Sequence, residues 1–205
     1  MLNNISIFAF KLANIIKICT MSKKHDIIWL EETDSTNRYA RRHISSIDNL
    51  SVIATKVQTS GKGQGEHTWH SEPGKNLLLS IVIKEPRILP SEQVLISRIT
   101  AESVKELLEA HGIEAWIKPP NDIWVGNKKI CGILIEHSLK GNRISWSIIG
   151  IGLNVNQSSF PDDLPNPTSM ILENEGCNIE ALLREFMEIF ISRASALLPQ
   201  TDPLP

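Results

Sequence analysis

The chain has 205 residues, 41% of them hydrophobic, with 21 Lys plus Arg against 23 Asp plus Glu and a formal charge of −2. One domain with a full core is expected at that size, and the near-neutral balance argues against the basic surface of a nucleic-acid binder. Cys19, Cys131 and Cys177 are odd in number and lack CxxC or zinc spacing, so a reducing cytoplasm is expected rather than a disulfide scaffold or a zinc site.

Residues 1–21 read as a non-core extension and residues 22–205 as the folded unit. Met1 to Thr20 is apolar but interrupted by Lys11 and Lys17, so no membrane span is expected. The charge order and cleavage site of a signal peptide are not evident. The preferred reading starts translation at Met21; the alternative is a short amphipathic tail. Ile27 to Leu30 is strand-like and leads into Asp34-Ser-Thr-Asn37. There Ser35 or Thr36 reads as a helix N-cap, and a helix N-terminus also offers free N–H donors to a carboxylate. The β-branched run Val52 to Val57 precedes a loop, Gln58 to Trp69, in which Gly61, Gly63 and Gly65 alternate. Such a loop can approach a ligand closely and turn N–H groups toward an anion, and Lys62 adds a charge. It is neither a Walker A loop nor a dinucleotide fingerprint, since Glu66 stands where a third glycine belongs. The ordinary reading is a flexible surface loop. His67 and His70 read as solvated loop residues.

Asn76 to Lys84 is a strong strand. Pro90 to His111 has helical spacing, with Ser91 as the expected cap and Gly112 as the stop. Ala115 to Lys118 is a short strand. The most informative stretch is Lys118 to Glu136. Ile123 to Val125 and Ile130 to Ile135 read as buried strands joined by the turn Gly126-Asn127. Lys118, Asn121, Asp122 and Lys129 stand at their ends, where an apolar floor can hold polar groups for a phosphate-rich ligand. An ordinary hairpin with lysines at its wet ends is the competing reading. The strand Ile144 to Ile149 is closed by Gly150-Ile-Gly-Leu-Asn154, either a tight passage under a ligand or a bulge with turn asparagines. Phe160 to Thr168 holds three prolines and reads as loop. Asn178 caps a last helix, Ile179 to about Leu198, whose face of Leu182, Leu183, Phe186, Ile189 and Phe190 reads as core.

Taken together and in this order, these pieces resemble the catalytic domain of biotin protein ligases, from about Ile27 to Leu198. The matching pieces are Ser35 to Asn37, the loop Gly61 to Gly65 with Trp69 beyond it, Lys118 to Asp122, Lys129 to Glu136 and Gly150 to Asn154. The resemblance implies an α/β (α+β) fold: a mixed, largely antiparallel sheet packed against helices, like class II aminoacyl-tRNA synthetases. It implies an enzyme that joins biotin to ATP as biotinyl-5'-AMP and passes biotin to a lysine of a biotin carboxyl carrier protein. ATP with Mg²⁺ and biotin are then substrates. Catalysis falls to Lys129, Lys62 and Asp122. Biotin is implied to meet Ser35, Thr36, Asn37, Gln58, Gly61, Lys62, Gly63, Gln64, Trp69, Lys129 and Gly132. The nucleotide is implied to meet Lys118, Asn121, Asp122 and Asn154, with Mg²⁺ arriving near Asp122 rather than at a fixed protein site. Asp122 also receives or orients the carrier lysine. An acidic carrier would face a patch of Lys118, Lys128, Lys129 and Arg143.

The sequence departs from the family pattern in three places. Lys62 and Gln64 stand where many members carry arginines, which predicts a weaker grip on the adenylate, and Glu66 adds a negative charge. Pro119 replaces the usual tryptophan, removing an aromatic wall and predicting a stiff, extended Lys118-Pro-Pro segment. The sequence stops at Pro205, where members usually continue into a small β-barrel domain. That leaves three readings: a truncated product, a minimal ligase or a lost activity. Few residues precede Ser35, so a ligase without a DNA-binding domain, and no nucleic-acid or membrane partner, is expected. Lipoate–protein ligase and an inactive biotin- or nucleotide-binding remnant remain as alternatives, and homodimerisation by edge-to-edge sheet pairing stays open.

Overall fold

The structure, a computed structural model, describes residues 26–198; the readings of residues 1–21 lie outside the described residues. Seven strands form one sheet: β1 (Ile27–Thr33), β2 (Val52–Gln58), β3 (Leu77–Lys84), β4 (Trp116–Lys118), β5 (Asp122–Val125), β6 (Lys128–Lys140) and β7 (Arg143–Leu153). Their order is β1-β2-β3-β7-β6-β5-β4. Only β1 and β2 pair in parallel; the remaining neighbours are antiparallel. A parallel pair needs a crossover, and α1 (Thr36–Arg42) lies in it. The longer helices are α2 (Val94–Ala110) and α4 (Ile179–Ala194), with the single turn α3 (Met170–Glu173) between β7 and α4.

The central strand β3, Leu-Leu-Leu-Ser-Ile-Val-Ile-Lys, is buried along nearly its whole length, as a continuous apolar run in a doubly covered strand should be. Leu77, Leu79, Ile81 and Ile83 join Ile149, Ile151 and Leu153 in the main core, with Val104, Leu107 and Leu108 of α2 and Leu182, Phe186 and Phe190 of α4. Truncating Phe186 to alanine would cost about 3–5 kcal/mol. The alternate residues face the other way, where Ile53, Val82 and Ile148 pack with Ala40 of α1 and Ile47. Helix α1 covers only part of that second face, and the uncovered part is where the candidate site lies.

Several boundaries differ from the sequence reading. A 3₁₀ turn, Pro90–Glu92, precedes α2, and Glu92 rather than Ser91 closes the entry by accepting the Leu89 N–H at 2.9 Å. Gly112 does stop α2, at φ 71°, where an L side chain would be strained. Asn178 caps α4 as expected, accepting the Ala181 N–H at 2.9 Å. Ser35 stands at the N-cap of α1 but its side chain makes no capping bond. Lys118-Pro-Pro is not an extended run: the chain turns at Pro119-Pro120, whose peptide is cis, and returns as β5. Strand β7 runs on through Gly150 to Leu153 in unbroken register with β3 and β6, so those glycines lie inside a strand and form no bulge. Among the described residues no helix is long and apolar enough to cross a membrane.

Candidate active site

One row of the sheet runs Leu78, Gly152, Gly132, Asp122, Lys118 across β3, β7, β6, β5 and β4. Residues in one row point to one face, so two glycines leave a groove between Leu78 and Asp122. The Trp69 ring lies in that groove. A methyl group on Gly132 would come within 2.9 Å of the ring, and one on Gly152 within 2.5 Å. The glycines therefore make room for an indole of the same chain. Above this floor opens a cleft of about 460 Å³.

Lys129 reaches the cleft because of a β-bulge. Ile123 pairs with Cys131 and Trp124 with Lys129, leaving Ile130 as an extra residue. Such an insertion changes which face the next residue presents: Ile130 and Cys131 are buried in the core, while Lys129 Nζ lies 2.7 Å from Asp122 Oδ1 and 5.7 Å from the Trp69 ring centroid. The proline loop holds the bulge: the Lys129 N–H donates to the Asn166 carbonyl at 2.7 Å and the Lys129 carbonyl accepts from the Thr168 N–H at 2.9 Å. Asn121 ties the turn before Asp122 to β6, its side chain donating to the Ile133 carbonyl at 2.8 Å and its own carbonyl accepting the Ile133 N–H. Lys118 Nζ lies 3.6 Å from the Trp124 ring centroid. Burial pushes the Cys131 thiol far above its usual range, so it is no nucleophile here.

The opposite end of the cleft is a closed polar network. Gln58 Oε1 accepts from the Thr36 N–H at 2.9 Å and from its hydroxyl at 3.3 Å. Ser80, fully buried, bridges Thr36 Oγ1 at 2.8 Å and Asn37 Oδ1 at 2.6 Å. Asn37 Nδ2 donates to the Leu134 carbonyl and to Glu136, and a methyl on Gly150 would collide with the Asn37 amide. At the start of α1 the Thr36 N–H is engaged by Gln58, and the Ser35 N–H just before it by Asp34 at 2.9 Å. A bidentate Arg42 pair, 2.8 Å on each oxygen, is the main cause that holds the Asp34 carboxyl well below the usual carboxylate range.

Of the residues singled out in the sequence, Thr36, Asn37, Gln58, Lys62, Gly63, Gln64, Trp69, Lys118, Asn121, Asp122, Lys129 and Gly132 line this one cleft. Three lie behind it. Ser35 is buried. Gly61 packs against the Trp69 carbonyl and the Gln58 side chain. Asn154 is buried and donates to the Thr168 carbonyl at 2.9 Å. Loop N–H groups close on the loop itself, Gly63 to His67 and Trp69 to Gly61. Arg143 sits at the far end of β6 and β7, beside Lys140 in a second cleft, so it does not join Lys118 and Lys129 in one patch. His67 and His70 are exposed. Sequence reasoning missed Trp124, whose signal was its place two residues after Asp122 on the same strand face. It also missed Ser80, whose signal was one hydroxyl in an otherwise apolar strand.

The chain belongs to the biotin/lipoate A/B protein ligase family, whose model matches residues 29–154. It is 33% identical over 159 residues to the bifunctional ligase/repressor BirA of Bacillus spizizenii, spanning 75% of this chain and 48% of that protein. To BirA of Bacillus subtilis it is 36% identical over 131 residues, spanning 63% of this chain and 40% of that protein. The chain thus spans about half the length of these curated relatives or less. In fold it resembles the biotin protein ligase from Aquifex aeolicus in complex with biotin and ATP, with a TM-score of 0.70 at 24% identity over 83% of this chain and 70% of that one.

Proposed function

We propose that residues 22–205 act as an ATP-dependent biotin protein ligase that forms biotinyl-5'-AMP and transfers biotin to a lysine of a biotin carboxyl carrier protein. The observation that carries this reading is the Lys129 ammonium, turned by the bulge onto the cleft face and held 2.7 Å from Asp122 beside the Trp69-covered floor. In the first step a biotin carboxylate oxygen attacks the α-phosphorus of ATP and pyrophosphate leaves. In the second the carrier lysine amine attacks the acyl carbon, the C–O bond to AMP breaks, and the amine loses a proton. Both steps gather negative charge on phosphate or acyl oxygens, and a fixed cation aimed there lowers the barrier. Asp122 receives the amine proton. Lys118 and Lys62 add positive charge along the triphosphate side. The Thr36–Gln58 end suits the polar ureido ring, with Trp69 covering the apolar tail.

Mg²⁺ enters on the triphosphate in this reading, with Asp122 as the carboxylate of the cleft lining beside it. A cytoplasmic setting and an acidic carrier belong to the same reading. The test is transfer: the purified chain, ATP, Mg²⁺, biotin and a carrier domain, with lipoate in a parallel reaction. A carrier mass gain of one biotinyl group in the biotin reaction alone is expected. Gain with lipoate alone would move the assignment within the family, and no biotin-dependent pyrophosphate exchange at all would overturn it.

A further inference from the structure

Trp124 has no part in the roles above, yet it lines the cleft, as Lys118 and Pro120 do. It stands on β5 two residues after Asp122, on the same face of the sheet. Its ring is seated rather than loose: Trp116 packs at a tilt with centroids 6.2 Å apart, and Trp116 is itself fixed by donating to the Gly126 carbonyl at 2.9 Å. The indole N–H of Trp124 is shielded from solvent and has no partner among the described residues, so the ring is held by packing rather than by a hydrogen bond. The Lys118 ammonium rests 3.6 Å from its centroid, a cation–π contact.

Charge orders the cleft along the sheet. Lys118, Asp122 and Lys129 gather at the β5–β4 side, while the α1 side is a closed network of neutral amides and hydroxyls plus Glu136. The triphosphate therefore belongs at the β5–β4 side, and the flat aromatic group attached to it falls beside the flat aromatic side chain there. We infer that Trp124 is the stacking platform for the nucleotide base, and that Lys118 yields the ring face to the base and turns to the phosphates. This rests on the ligase reading above. It assigns base recognition to a residue at the centre of the hairpin and leaves Pro119, which is not on the cleft wall, without that role.

The experiment is titration calorimetry of the full chain with ATP and, separately, with inorganic tripolyphosphate, for wild type, Trp124→Phe, Trp124→Leu and Lys118→Ala. Loss of one base–aromatic stack weakens binding about tenfold or more. Trp124→Leu should lose that much for ATP and nothing for tripolyphosphate, with Trp124→Phe between it and wild type. Lys118→Ala should weaken tripolyphosphate. Undiminished ATP binding in Trp124→Leu would overturn the proposal. So would equal weakening of ATP and tripolyphosphate, since Trp124 would then act only by seating Lys118. Should the leucine variant melt early, the phenylalanine variant decides by the same ratio. A wild type that binds neither ligand would overturn the ligase reading itself, and this inference with it.

Discussion

The two ends of the cleft are built on opposite plans. At the α1 end, Thr36, Asn37, Gln58, Ser80 and Glu136 bond to one another and to backbone, so most of the polar capacity there is used inside the protein. At the β5–β4 end, Lys129, Lys118 and Asp122 keep part of their surface open, and their contacts are one ion pair and two cation–π contacts, Lys118 on Trp124 and Lys129 on Trp69. In the proposed reaction the difference separates two tasks. A network bonded to itself fixes shape and gives rigid recognition. Cations held loosely over a groove keep charge available for phosphate oxygens. The two ends lie roughly 14 Å apart across three strand spacings, with the Trp69-covered glycine floor between them.

Substitutions at each end should separate those tasks. Asp122→Asn should have the largest effect among them, lowering transfer to the carrier about a hundredfold or more by removing the proton acceptor and the partner of Lys129. Single-turnover transfer from preformed biotinyl-5'-AMP measures it, and a loss smaller than tenfold would contradict the assigned role. Gly152→Ala should come next. The added methyl would push the Trp69 ring off the floor, raising the biotin KM about tenfold with little change in the ATP KM. A larger rise for ATP would place Trp69 at the other end of the cleft.

Ser80→Ala should act on the rigid end alone. Removing its hydroxyl leaves Asn37 Oδ1 unpaired in a buried setting, while Thr36 keeps its bond to Gln58, a loss of about 1–3 kcal/mol, read as a lower Tm in thermal unfolding. Arg42→Ala should give the smallest effect, with a definite sign in pH. The Asp34 carboxyl is depressed in the folded state, mainly by Arg42, so its contribution is present above the unfolded value of about 3.9 and fades as pH falls toward the folded value. The Tm gap between wild type and Arg42→Ala should be present at pH 7 and narrow below about pH 4. The pair is partly solvent-exposed, so the gap stays small.

The sequence shows the hairpin around Gly126 well, because a two-residue turn between apolar runs is a local signal. Val125 indeed pairs with Lys128. The helices α2 and α4 are equally legible from their apolar faces. What stays hidden depends on partners distant in the chain. Glycines weaken a strand in isolation, so β7 reads as ending at Ile149, yet β3 on one side and β6 on the other carry its ladder through Leu153. The bulge at Ile130 depends on the register between two strands, and a list of residues does not display register. Asn154 follows a glycine pair and looks ligand-facing. Burial between Thr168 and the start of β6 turns it inward. Gly152 reads as space for a ligand until the fold brings Trp69, far away in sequence, onto it.

In the proposed reaction the bulge-presented Lys129 supplies the charge for adenylate formation. Biotin-dependent exchange of labelled pyrophosphate into ATP tests it most directly, because it isolates the first step from carrier docking. Wild type should exchange. Lys129→Gln should lose about a hundredfold or more while keeping the wild-type melting curve. Exchange at the wild-type rate in a folded Lys129→Gln variant would rule out that role for Lys129.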